Sequence, residues 1–234
     1  MASDPSAGPE VADAGEERAL HDGRGVPASS PLVAVSWPVH TARLQLRPAT
    51  PGDAESSWPY RRLGPVNHWI PRAPHTVEEH RAAFEHPAHL AKTLVVELEG
   101  AVIGDLMLAV EDAWAQVEVA ERARGVQAEL GWALHPDYAG RGYATEAVRE
   151  LIRICFTDLG LRRVTAGCFA GNEASWRLME RVGMRREAYT VRDSLHRSGA
   201  WLDGMTYALL ADEWRQSGAG TGTGGDAQPA QPPS

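Results

Sequence analysis

The most constraining stretch of this chain is a strand that runs through a two-glycine turn into an amphipathic helix. Ala128 to His135 reads as a strand, and Gly140-Arg141-Gly142 follows. Ala144, Ala147, Val148, Leu151, Ile152 and Cys155 then recur at i, i+3, i+4, i+7, i+8 and i+11, one continuous apolar helix face. Gly160 supplies a stop signal. Glycines without Cβ let several backbone N–H groups point into one concavity, at the positive end of a helix dipole. A phosphate fits such a place, although two glycines alone make purely structural turns just as readily.

The flanking sequence supplies the rest of a sheet. Arg43 to Pro48 alternates Leu44 and Leu46 with Arg43, Gln45 and Arg47, the pattern of a half-buried strand. Pro51-Gly52-Asp53 opens a helix, and Thr76 caps a second over Val77 to Glu85, with Glu79 completing a capping box. Thr93 to Leu98 and Ala101 to Leu108 are β-branched runs joined by Glu99-Gly100, a two-residue hairpin signal. Residues 111–126 form a polar excursion at a sheet end. Arg163 to Cys168 is a strand, Asn172 caps a helix that ends at Gly183, and Met184 to Arg192 and Trp201 to Leu210 are two further strands joined near Ser198-Gly199. Antiparallel hairpins around a strand–helix–strand unit predict a mixed α/β sheet.

Residues 1–38 and 216–234 are rich in Ala, Gly, Pro, Ser, Thr and Gln, and are expected to be disordered tails around a domain spanning 39–215. Of the net charge of -8, half falls in the first segment and one unit on Asp226, so the domain itself is only mildly acidic. That balance disfavours nucleic acid as a partner and suits a cationic one or a small amine. Cys155 and Cys168 read as reduced core residues, and no Cys or His spacing suggests a metal. No run approaches the ~20 apolar residues of a membrane span, and no signal peptide is evident, so a cytoplasmic protein away from membranes is expected.

Downstream of the glycine turn lies Asn172-Glu173-Ala174-Ser175-Trp176-Arg177-Leu178-Met179-Glu180-Arg181-Val182-Gly183-Met184. Taken with Glu129 to Ala147, Val102-Ile103-Gly104 and Trp201-x-Asp203, it resembles the GNAT superfamily of N-acetyltransferases, in its ribosomal-protein N-acetyltransferase-like branch. The resemblance runs from about Arg43 to Trp214. It implies a mostly antiparallel central sheet flanked by helices, with a splayed parallel strand pair that binds acetyl-CoA as cosubstrate. The pyrophosphate would rest on backbone amides of Ala139, Gly140, Arg141, Gly142, Tyr143 and Ala144, and the pantetheine arm on the strand from Leu130 to Leu134. The family's leading Gln or Arg of the turn is Ala139 here, so one side-chain contact is in doubt; Arg141 is either a substitute or a solvated loop residue.

The same resemblance assigns chemistry. Glu129 is the candidate general base, its other reading being a strand-start carboxylate that is solvated or paired with Arg141. The tyrosine that often protonates the departing thiolate is replaced by Met179, which leaves Ser175 as candidate acid or as a plain cap residue. Asn172 is expected to bind the pantetheine arm or to N-cap, and Tyr189 is a less favoured acid. His135 reads as structural, and Trp58, Trp69, Trp114 and Trp201 as core or substrate wall. Partners are acetyl-CoA and an amine acceptor, such as a protein N-terminus or a small molecule, and the resemblance admits a homodimer. The acceptor pocket should use Trp58 to His75, residues 111–126 and the turn near Ser198. Two other readings stand beside this one. A GNAT module could bind acyl-CoA for sensing or assembly without turnover. A dinucleotide-binding oxidoreductase is disfavoured, because no acidic ribose ligand is placed as that motif requires.

Overall fold

The computed structural model describes residues 30–218. Its centre is an eight-stranded sheet in the order β1-β2-β3-β4-β5-β6-β8-β7. The strands are β1 (Val39–His40), β2 (Gln45–Pro48), β3 (Thr93–Leu98), β4 (Ala101–Glu111), β5 (Gln127–Leu134), β6 (Arg163–Phe169), β7 (Arg185–Leu195) and β8 (Trp201–Leu210). Every neighbouring pair is antiparallel except β5 and β6. The β3–β4 hairpin turns through Glu99 and Gly100, both at positive φ, as a primed two-residue turn requires.

Helices cover both faces. They are α1 (Asp53–Arg61), α2 (Gly64–Asn67), α3 (Val77–Phe84), α4 (Pro87–Leu90), α5 (Tyr143–Arg153), α6 (Glu173–Arg181) and α7 (Ala211–Gln216). Alternation along β3 shows how the layers divide. Leu94 and Val96 join the large core built with Val148, Leu151 and Ile152 of α5, whereas Val95 joins Ala54 of α1 and Phe84 of α3 on the other side. Ala147, Val148, Leu151 and Ile152 of α5 are buried and Ala144 is half-buried, and Cys155 continues the apolar face through one π-helical turn, Ile154–Asp158, before Gly160 at φ +64° ends the run. Thr76 caps α3 by accepting from the Glu79 amide at 3.1 Å; Glu79 returns the bond to His75 N rather than to the cap residue.

Part of the expected N-terminal tail belongs to the domain. Pro31–Ala34 forms a 3₁₀ turn started by Ser30, Leu32 is buried in the large core, and the Trp37 indole donates to Leu32 O at 2.6 Å. Composition averaged over 1–38 hides these two apolar side chains among Ala, Gly and Pro. At the other end α7 closes the domain with Trp214 against Phe156, 5.6 Å between ring centroids. Residues 1–29 and 219–234, which carry the rest of the expected tails, lie outside the described residues. Among the described residues no helix is long and apolar enough to cross a membrane.

α1 is tied to the sheet by charge as well as by packing. The Arg61 guanidinium grips Asp105 of β4 with two hydrogen bonds, and Tyr60 OH donates to the same carboxylate at 2.7 Å. Burial, followed by the Asp105 charge, pushes the Tyr60 phenol far above its ordinary range, so it stays a neutral donor. This network fixes the end of α1, and with it the loop that follows.

Candidate active site

The one parallel pair is incomplete. β5 and β6 pair only at Gln127–Arg163, Ala128–Val164 and Glu129–Thr165. Beyond these, β5 runs on to Leu134 beside β4, and β6 runs on to Phe169 beside β8. Each strand thus keeps one partner and turns its other edge toward a gap. Backbone donors and acceptors along 130–134 and 166–169 can receive an extended, amide-bearing ligand as an added strand would be received. Gly104 makes the end of β5 possible: a Cβ there would lie 2.5 Å from the Ala133 carbonyl oxygen.

The glycine turn lies just past Leu134. Gly140 and Gly142 sit at φ +74° and +83°, a region that side chains other than glycine rarely tolerate. Gly142 begins α5 with no side-chain cap, and the first helical amide to find an acceptor is that of Glu146, which donates to Gly142 O at 3.0 Å. The amides from Gly140 to Thr145 have no acceptor among the described residues. A Cβ built on Gly140 would meet nothing within 4 Å, and one on Gly142 only the tip of the Arg43 guanidinium at 3.4 Å. An open cradle of unpaired amides at a helix N-terminus suits a pyrophosphate.

Arg43 and Glu146 complete this cradle. Arg43 bonds Glu146 Oε2 through Nε at 2.7 Å, donates to Arg141 O at 2.9 Å, and lies over the Tyr143 ring at 4.4 Å. Arg141 itself is exposed beside the Tyr138 ring, 6.0 Å from its centroid, so the alternative pairing with Glu129 is not formed. Arg43 is more than ninety residues away in the chain, and no local pattern signals the contact.

Glu129 occupies the last paired position before the gap, opposite Thr165. Water reaches its side chain, yet the surrounding protein removes part of its hydration. That burial, joined by repulsion from Glu111 and opposed by Lys92, raises its pKa. Ser175 lies half-buried in the first turn of α6, where its amide donates to Asn172 Oδ1 at 3.3 Å. Asn172 therefore acts as the N-cap. The Ser175 hydroxyl makes no hydrogen bond among the described residues. Met179 is fully buried in the core and offers no proton. Tyr189 lies exposed on β7, the outermost strand; its hydroxyl donates to Asp203 at 2.5 Å, and that bond raises its pKa.

His135 behaves structurally, its Nδ1 accepting from the Asp137 amide at 3.2 Å. Cys155 and Cys168 are both free thiols, and burial pushes Cys168 up to about 11. The tryptophans divide. Trp58 lines a cavity beside α1, and Trp69 packs on Phe169 and against Gly171, just ahead of Asn172. Trp114 is 90% exposed and Trp201 57% exposed, so neither is a core residue. Trp114 projects from the polar excursion and Trp201 from the tip of the β7–β8 hairpin, where nothing in the domain covers them.

A mostly antiparallel sheet opened at its single parallel pair, with unpaired amides at the helix that follows, is the architecture of a GNAT-type acyltransferase. The chain belongs to that family: the acetyltransferase (GNAT) domain model matches residues 43–185. Among curated relatives, the uncharacterized N-acetyltransferase YnaD of Bacillus subtilis is 36% identical over 86 residues, which is 37% of this chain and 50% of that protein. The ribosomal protein uS5-alanine N-acetyltransferase of Escherichia coli is 29% identical over 85 residues, 36% of this chain and 43% of the other. The chain thus spans about half the length of the curated relatives it matches. A GNAT-family acetyltransferase structure from Bacillus anthracis superposes with a TM-score of 0.64 at 29% identity, covering 75% of this chain and 99% of that one.

Proposed function

We propose that this protein transfers an acetyl group from acetyl-CoA to a primary amine by direct attack on the thioester. The observation that carries the reading is the layout of β5. Its free edge leads from the amide cradle at Gly140–Thr145 back to a partly desolvated carboxylate at Glu129. Acetyl-CoA supplies the activated acyl thioester. An alkylammonium of pKa ~10 has no free pair and must first lose a proton. Glu129 accepts that proton, directly or through water, and its raised pKa makes it a stronger base than an ordinary glutamate. The amine nitrogen forms the new C–N bond as the C–S bond breaks, and the second proton that the nitrogen sheds ends on the departing sulfur, relayed through the Ser175 hydroxyl, which gives its own proton to the sulfur and takes up that one. Asn172 holds the start of α6, and with it Ser175, beside the gap. The products are an amide and free CoA. The work takes place in the cytoplasm on dissolved amines.

A non-catalytic acyl-CoA-binding module is favoured only by two departures from the family pattern, Ala139 in the turn and Met179 in place of the tyrosine. Thiol release with an amine panel separates the two readings. The test common to both is thermal. A ligand that binds only the native state adds ~2.7 kcal/mol of apparent stability at a hundredfold excess over Kd. Acetyl-CoA should raise the melting temperature and NAD should not. A melt unmoved by millimolar acetyl-CoA would overturn the proposal.

A further inference from the structure

Beside α1 the protein has a cavity of about 510 Å³, within the range of small-molecule sites. Its wall combines the end of α1, α2, the loop to residue 75 and the β7–β8 turn. Arg62, Asn67, His68, His75 and Arg197 supply its polar groups, with Trp58 as an aromatic side; no Asp or Glu lines it. In a chain of net charge -8, a concavity with two guanidiniums and no carboxylate is a marked local reversal. The Arg62 side chain has no hydrogen bond or ion pair among the described residues. Arg197 is steered into place by its bond to Ile70 O, and His196 ties the same turn to His68 O at 2.8 Å.

Asn67 stands in the same wall, 8% exposed, and its buried Oδ1 has no hydrogen-bond partner among the described residues. The cavity also lies toward the start of α6: the His68 ring meets Trp69 edge-on, 4.2 Å between centroids, and Trp69 packs against Gly171, next to Asn172.

Building on the acyltransferase reading, we propose that this cavity selects the acceptor, and that the acceptor is a small amine bearing a carboxylate, in the manner of a free amino acid. Arg62 and Arg197 hold the carboxylate, and Trp58 covers the carbon skeleton. A polyamine, cationic throughout, would meet two arginines and no counter-charge.

The experiment compares acceptors that differ only in the carboxylate: lysine with cadaverine, and phenylalanine with phenethylamine, each with acetyl-CoA and read as thiol release. The carboxylated member of each pair should have a kcat/KM at least about tenfold higher, the scale of one charged hydrogen bond. Arg62→Ala should abolish that preference through KM, and Arg62→Lys should restore part of it. Decarboxylated amines used equally well or better, or a preference unchanged in Arg62→Ala, would overturn the proposal. Calorimetric titration of phenylalanine and lysine into the protein without acetyl-CoA keeps the question apart from turnover. At least one should bind, and more weakly to Arg62→Ala. If neither binds the wild type, the cavity assignment fails even where thiol release succeeds. If one binds while acetyl-CoA neither binds nor turns over, the acyltransferase reading fails and the cavity stands as an amino-acid site.

Discussion

The protein presents two concave surfaces, and they are made of different material. The cradle at Gly140–Thr145 is backbone: two glycines at positive φ and a run of unpaired amides. The cavity beside α1 is side chain: guanidiniums, imidazoles, an indole and a carboxamide drawn from segments more than a hundred residues apart. A backbone cradle needs only local geometry and, in the role proposed for it, recognises a group common to every acyl-CoA. A side-chain wall depends on the Arg61–Asp105 grip and the His196 tie to hold its parts together, and it can change specificity without disturbing the fold. One surface is therefore expected to be generic and the other particular to this protein.

Glu129 lies on the strand leading to the first surface, and replacing it gives the largest expected effect. Glu129→Gln keeps the shape and removes the proposed base. The loss should be about 10²- to 10⁴-fold in kcat/KM at neutral pH. The raised pKa of Glu129 fixes the sign of the pH profile: wild-type activity rises with pH as the carboxyl ionises, and the mutant's deficit shrinks at high pH, where more of the amine is already neutral. Acetyl-CoA binding, measured by calorimetry, should stay within a few-fold of wild type. A parallel collapse of binding would mean that Glu129 supports the cradle and not the chemistry.

Gly142→Val attacks the backbone surface directly. It forces a β-branched residue to φ +83° and pushes a side chain toward the Arg43 guanidinium, 3.4 Å from the position of its Cβ. Acetyl-CoA affinity should fall by about ten- to a hundredfold, while far-UV circular dichroism stays near wild type. Amino-acid binding in the cavity should survive. Loss of both together would show that the two surfaces are one cooperative unit and break the contrast drawn above.

That contrast also accounts for what the sequence discloses. Strand and helix periods reveal β3, β4 and α5 because burial alternates with the backbone repeat, as Leu94, Val95 and Val96 show on the two faces of β3. The glycine turn is legible because its conformation demands glycine. Leu32 and Trp37 escape notice because two apolar residues in a stretch of Ala, Gly and Pro carry no period, although tertiary packing buries Leu32. The short α2 and α4 begin at or next to Pro65 and Pro87 and are too brief for an amphipathic pattern. For the acceptor side, sequence indicates the variable segments but not their charge. Arg62 and Arg197 become one wall only after the β7–β8 turn folds back on the loop.

The smallest expected effect concerns the clasp between Arg43 and Glu146, where a side-chain contact holds a backbone surface in place. Arg43 is 44% exposed in its side chain and Glu146 17%, so solvent weakens the pair. Exposed pairs contribute roughly 0.2–1 kcal/mol, and Arg43→Ala should cost acetyl-CoA binding no more than about fivefold. The cost should shrink further at high salt. Glu146 gives an independent handle. Burial alone would raise its pKa, but bonds from Thr41 and Arg43 together with the Arg43 charge outweigh it and hold the value below the ordinary 4.5. A carboxylate depressed in the folded state stabilises the fold at neutral pH and ceases to do so as pH falls through its folded pKa. Denaturation of wild type and Glu146→Gln should therefore differ by that fraction of a kcal/mol at pH 7 and converge in acid. A difference that persists in acid would assign Glu146 a packing role. A difference of several kcal/mol at pH 7 would show that the cradle is held by side chains after all, and the two surfaces would then be of one kind.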